Sequence, residues 1–455
     1  MIVFTSLDFM FRFLVIFLAV YYVVPKRLQN AVLFLGSLVF YGFGQWQFLP
    51  VLFGLTVINF GFGRWLSSGK KRGYQRSYLL PRFVIVFAFD AVVLLLFKYL
   101  ALALDPSWLP LGISFYIFKM ISFQSDAYNG KIPPNVRFFE AAAYFTMFPQ
   151  VTQGPIMRFH VEDFRKPHRL SLLHLEQGLE YFVVGMGMKI LLADRLAILW
   201  NEIQKIGFES ISTPLAWLGI YGYSLELYFD FWGYSLMAAG LGVMLGFPFV
   251  ENFDHPYASK SISEYYRRWH VTLGSWFKDY IYIPLGGSRK GAAKTVRNLL
   301  IVWLITGLWH GGTLNFIIWG MVIGIIIVLE KYPLKKLMEK TRIPGWILVF
   351  VVIPLTWGIF AITDLSDLGI YFSRLFPFVS GELGAGADFI KYAQRYWLLF
   401  AAGILLLLPP VSRFLVKERK GFLQFIRILL LLAVFLGSLY LIGTTSSNPF
   451  LYYSF

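Results

Sequence analysis

Residues Leu299–Leu329 read LLIVWLITGLWHGGTLNFIIWGMVIGIIIVL and hold a single ionisable side chain, His310. Two apolar runs flank it, joined through Gly311-Gly312. A soluble domain has nowhere to hide runs of this kind, and they recur along the whole chain, so the sequence reads as a polytopic helical membrane protein. His310 is costly to place in that setting. Ionisable groups at membrane depth are functional hypotheses by default, and the imidazole is the side chain that titrates nearest neutrality. A polar helix end facing interfacial water accounts for it equally well at this level.

The rest of the chain agrees with a membrane assignment. Of 455 residues, 57% are hydrophobic and 19% aromatic. Only 15% are charged, against roughly 25% in ordinary soluble domains. Candidate spans begin with Phe9–Val24, Ala31–Phe43, Phe48–Leu66, Leu79–Leu100 and Leu109–Tyr128. They continue through Ala141–Val151, Leu175–Trp200, Pro214–Asp230, Trp232–Val250, Val296–His310 and Leu314–Lys331. Ile347–Ala361, Ile390–Leu408 and Phe425–Ile442 complete the set. Several fall short of a full crossing, which predicts about 11–14 membrane segments with some tilted, broken or re-entrant. Phe9–Val24 has no basic stretch before it and no clear cleavage site, so it reads as a first span rather than a removable signal.

The net charge of +16 is the excess of Lys and Arg expected of cytoplasmic loops, and it does not call for a nucleic-acid partner. Arg64, Lys70, Lys71, Arg72, Arg76 and Arg82 cluster after the third span; the turns after the second and fourth carry no Lys or Arg. This alternation predicts an outside N-terminus. It also puts Lys331–Arg342 and Arg413–Lys420 in the cytoplasm, with the acidic stretch Thr363–Asp388 and Phe455 outside. With no cysteine, thiolate nucleophiles, disulfides and thiol metal sites are excluded. None of the six histidines shows metal-ligand spacing with a neighbour.

Between the spans, Arg267–Tyr282 reads RRWHVTLGSWFKDYIY. As one helix it would put Trp269, Leu273, Trp276 and Phe277 on a single side, with Arg267, Arg268 and Lys278 reaching water or lipid phosphate. That is an amphipathic interfacial helix, or a helix that also aims His270 into a reaction chamber. Ile283–Gly291, IPLGGSRKG, follows. Pro284 and Gly286-Gly287 free backbone N–H groups beside Ser288, Arg289 and Lys290, which suits an anion; an ordinary cytoplasmic basic turn looks the same. Lys119 with Asp126, and Glu226 with Asp230, are charges in apolar context and predict pairing that fixes helix register, or a hydrated cavity. His160, His168 and His174 read as solvated, and His255 as a loop residue.

The order RRWHVTL, DYIYIPLGGSRKG, NLLIVWLITGLWHGG resembles the membrane-bound O-acyltransferase (MBOAT) family, and within it the alginate O-acetyltransferase type. LGISFYIF…SFQSDAY, YSLELYFDFWGYS and the closing NPFLYYSF extend the resemblance over nearly the whole chain. The IPLGG-x-RKG insert points away from the related teichoic acid D-alanylation protein. The resemblance implies an all-α MBOAT fold in one membrane domain around a central channel. N-terminal spans would fill 1–108, the catalytic core region 109–331, and C-terminal spans with an aromatic tail 332–455. It implies that His310 is the catalytic histidine and that His270 is a second one at the reaction centre, orienting the acyl group or stabilising the oxyanion. It makes Tyr452 a candidate acyl carrier, where an interfacial aromatic anchor is the alternative. The implied activity is acetyl transfer from a cytoplasmic thioester donor, acetyl-CoA, for O-acetylation of an extracellular glycan, in a bacterial cell membrane. An extracytoplasmic SGNH-type acetyltransferase would be the partner. Arg267, Arg268, Lys278, Arg289 and Lys290 would meet the donor. No tightly bound cofactor or metal is expected. A lipid or protein acceptor, or a transporter without catalysis, are the alternatives.

Overall fold

The computed structural model describes residues 3–71, 75–161, 164, 168–341, 343–376, 388–417 and 420–444. Among these there is no strand; one isolated antiparallel bridge joins Phe253 to Trp269. By length and composition, four described helical runs suffice to cross a membrane: Lys26–Gly69, Ser77–Ala103, Leu314–Lys331 and Phe422–Thr444. Asp388–Leu407 and Pro409–Val416, bent by 84° at their junction, join them if counted as one broken span. Leu55, Leu66 and Leu79 are buried, while Leu95, Leu432 and Leu436 stand exposed. That exposure is expected where lipid rather than water is the solvent.

The chain divides into two compact units, Met1–Phe182 with Ser235–Glu251, and Val183–Tyr234 with Asn252–Phe455. In the first, polar side chains tie helices together. Asn59 (helix Leu49–Lys71) donates to Asp90 Oδ1 (helix Arg76–Ala103) at 2.9 Å and accepts from Gln124 (helix Ile113–Asn129) at 2.9 Å. Away from water, such bonds hold helices that apolar packing alone would let slide. Lys119 does not meet Asp126. Its Nζ donates to the Tyr144 carbonyl at 3.2 Å, and Asp126 takes His160 at 2.7 Å and Lys131 at 3.4 Å. His160 is therefore engaged rather than merely solvated, and His168 bonds the Tyr21 hydroxyl at 2.8 Å.

In the second unit the charged network also differs from the sequence expectation. Lys189, 2% exposed, pairs with Asp194 at 2.7 Å and Asp230 at 2.6 Å. Lys189 lies in the π-helical turn Met188–Ala193 and Asp194 directly follows it, and the wider winding brings i and i+5 together. Glu226 shares the network's field, but its Oε2 has no hydrogen-bond partner among the described residues. The break expected near Phe231 is absent. Thr213–Met244 is one helix, and Gly233 serves packing instead, since a Cβ there would lie 2.6 Å from the Gly185 carbonyl oxygen. His255 is in a loop as expected, yet buried, with Nδ1 3.2 Å from Ser412 Oγ.

Candidate active site

His310 ends the helix Ala292–His310, and Gly311 caps it with extended backbone. The next helix, Leu314–Lys331, returns against it at a glycine crossing. A Cβ on Gly320 would sit 2.5 Å from the Trp303 carbonyl oxygen, and one on Gly307 2.5 Å from that of Phe316. Only small residues allow so close an approach. The approach brings Trp319 edge-on to the His310 ring, centroids 5.0 Å apart, with Phe360 of the helix Ile353–Ala361 at 5.2 Å. Asn315 secures that third helix by donating to the Ile359 and Phe360 carbonyls at 3.1 and 3.2 Å.

His270 is held differently. Arg267–Tyr282 is not one helix. Ile262–Arg268 stops before Trp269, and Val271–Phe277 starts after His270. His270 itself takes φ +48° and ψ +55°, a left-handed conformation. Non-glycine residues adopt it only when their surroundings insist. Here the insistence comes from residues 252–254. Val271 N–H donates to the Asn252 carbonyl at 2.9 Å and Asp254 N–H to the Arg268 carbonyl at 2.9 Å, while Asn252 Oδ1 receives Thr272 N–H, Thr272 Oγ1–H and His270 Nδ1 at 3.2, 2.8 and 3.0 Å. The approach helix is capped from the His310 side: Glu330 accepts from Ile262 N, Ser263 N and Ser263 Oγ at 2.5, 2.9 and 2.7 Å. Trp269, Leu273, Trp276 and Phe277 are all buried as the helical reading required, but on two segments.

Both histidines line one cavity of about 1010 Å³, at the upper end of the range for ligand pockets. An unbroken aromatic wall connects them: Trp269 lies 5.0 Å from Trp357, Trp357 5.8 Å from Trp319, and Trp319 against His310. Exposed Lys260, Arg267, Lys278, Lys331 and Lys335 also line the cavity, with Glu330 and Glu339.

The basic residues expected to meet a donor therefore separate. Arg267 and Lys278 belong to the cavity lining. Arg268 is bound to Glu264 at 2.8 Å and faces Asp254 at 3.5 Å. Arg289 and Lys290 are exposed on the 283–291 turn, outside the lining. That turn spends its own N–H groups, Gly286 on the Ile283 carbonyl and Gly287 on that of Tyr282, both at 2.9 Å. Asn298 then clamps the Leu285 and Gly287 carbonyls at 3.3 and 3.0 Å. Tyr452 lies outside the described residues. Among the described residues no cluster of His, Asp and Glu has the makings of a metal site.

Two imidazoles share a tryptophan-walled cavity in a multi-pass helical protein, and family membership makes that protein an O-acyltransferase. The chain belongs to the membrane-bound O-acyltransferase family, whose model matches residues 53–353. It is 36% identical over 400 residues to the probable alginate O-acetylase AlgI of Pseudomonas syringae pv. tomato, covering 84% of this chain and 76% of that protein. The AlgI protein of Pseudomonas putida is 33% identical over the full length of both. A peptidoglycan O-acetyltransferase of Helicobacter pylori is 30% identical, covering 79% of this chain and 77% of the relative.

Proposed function

We propose that this enzyme takes acetyl groups from a cytoplasmic thioester, acetyl-CoA, and passes them through the membrane for O-acetylation of an extracellular glycan. The observation that carries the reading is the single cavity lined by both His310 and His270. An alcohol is a poor nucleophile at neutral pH. His310 takes the proton of the attacking hydroxyl as its oxygen bonds the thioester carbonyl carbon; the carbon–sulfur bond then breaks and the thiolate leaves. The cations on the lining suit a donor that carries phosphates.

The glycan acceptor rests on the relatives, which are named for alginate and peptidoglycan acetylation. The charge alternation supports an outside N-terminus, and the bacterial relatives support a bacterial cytoplasmic membrane. A secreted SGNH-type acetyltransferase would complete delivery to the polymer. The test is reconstitution in liposomes with acetyl-CoA. CoA release should occur with the wild type and fall at least about 10²-fold in His310→Ala. Equal release by a folded His310→Ala protein would overturn the assignment.

A further inference from the structure

Three polar atoms converge on one buried atom, Asn252 Oδ1, and one of them settles its identity. The backbone N–H of Thr272 can only donate, and it lies 3.2 Å away. The atom is therefore the amide oxygen and not the amide nitrogen, which ordinary flips would leave open. Since that oxygen only accepts, the Nδ1 atom of His270 at 3.0 Å must carry a proton. Burial against the Phe231 ring, 4.7 Å centroid to centroid, disfavours a second proton and its charge. The remaining nitrogen, Nε2, then bears a lone pair. It is buried and has no hydrogen-bond partner among the described residues, while the residue lines the cavity.

We infer that Asn252 is a positioning residue that locks His270 as the Nδ1–H tautomer, so that His270 faces the bound substrates as a hydrogen-bond acceptor for an O–H or N–H group. The inference rests on the reading of His270 as part of the reaction centre. It removes oxyanion stabilisation from what His270 does, because a neutral ring with its proton on Nδ1 has none to offer from Nε2. Stabilising the oxyanion would fall to other donors. The strained backbone serves the same end. At φ +48° the ring is turned back toward Asn252, where the continuous helix expected from the sequence would have placed it elsewhere.

The test combines ¹⁵N-histidine solid-state NMR of the full protein in lipid with CoA-release kinetics. There are six histidines, so the His270 signals are assigned by difference with His270→Asn. The expected wild-type spectrum has His270 protonated at Nδ1 and bare at Nε2. Asn252→Asp keeps an acceptor there and should keep the tautomer, hold kcat within about tenfold, and move the acid limb of the pH profile upward, because a carboxylate makes the ring more basic. Asn252→Leu should release the tautomer and lower kcat by at least about 10²-fold, the scale of a lost proton-handling group, with little change in KM. Thr272→Val removes a different donor from the same oxygen and should leave the tautomer unchanged, because the Thr272 backbone N–H still bonds that oxygen. A wild-type His270 protonated at Nε2 overturns the inference, as does a folded Asn252→Leu protein with wild-type kcat. If Asn252→Leu does not fold, the wild-type spectrum and Asn252→Asp still decide. Full activity in His270→Asn would instead sink the placement of His270 at the reaction centre, whatever the spectrum shows.

Discussion

Adding one methyl group at Gly320 should cripple turnover without touching a catalytic side chain. The Cβ of Gly320→Ala would lie 2.5 Å from the Trp303 carbonyl oxygen and 3.2 Å from Gly307 Cα, and ordinary contact begins at 3.4 Å. The obstruction is backbone, so no side chain can swing away; the two helices must part by 3.4 − 2.5 = 0.9 Å. Overpacking of this kind costs about 1–3 kcal/mol. Trp319 is the neighbour of Gly320 and contacts His310, so the same displacement moves the imidazole against the cavity wall. Misplacement by about 1 Å costs on the order of 10²-fold in rate. The assay is CoA release at saturating acetyl-CoA by purified protein in lipid, alongside thermal unfolding. Gly61→Ala is the control: it too is helical but has nothing within 4 Å of the new methyl, so it should be neutral or slightly stabilising. Wild-type kcat and wild-type stability in Gly320→Ala would refute the claim that this crossing sets the site.

Other substitutions separate the remaining parts. His270→Asn should fold, because Asn tolerates the left-handed backbone, yet lose activity in the CoA-release assay; His270→Val should also lose stability, because a β-branched residue resists φ +48°. Lys189→Met takes from the buried Asp194 and Asp230 the cation they share, a loss of about 3–5 kcal/mol, visible as poor recovery of monodisperse protein and relieved by adding Asp194→Asn and Asp230→Asn. Arg267→Ala and Lys278→Ala should raise the KM for acetyl-CoA, whereas Arg289→Ala and Lys290→Ala, outside the cavity lining, should not; titration of initial rates against donor concentration distinguishes the pairs.

What the sequence made legible was periodic or local. The His310 helix ends at the residue expected, because an apolar run followed by Gly311-Gly312 is a self-contained signal. The burial of Trp269, Leu273, Trp276 and Phe277 was readable for the same reason, since helical spacing survives the break between Trp269 and Val271. The break itself was not. It is imposed by Asn252, 18 residues earlier, through bonds that no window of sequence reveals. Glu330 caps a helix start 68 residues before it and belongs to the same class of invisible partner. Lys189 illustrates another failure. Asp194 stands five positions further on, a spacing that faces apart on an α-helix and together on the π-turn that forms there. Spacing of i, i+4 therefore pairs Glu226 with Asp230 and hides the cation that Asp230 binds.

The two histidines sit in unlike surroundings, and that difference bears on how the site tolerates change. His310 is packed against Trp319 and Phe360 beside the Gly307–Gly320 crossing, and the Asn315 hydrogen bonds fix the helix that carries Phe360. His270 is placed by hydrogen bonds to Asn252, which accepts them, and by a backbone conformation that costs free energy to keep. Packing fails gradually as atoms separate, whereas a buried polar cluster fails abruptly when the acceptor that its donors share is removed. Glu330 joins the two systems, because it sits on the helix that packs against His310 and binds the start of the segment that leads to His270. A shift of Leu314–Lys331 therefore reaches both imidazoles at once. Small residues at the glycine crossing and an intact Glu330 cap are thus requirements of the same geometry, in which both imidazoles line one cavity.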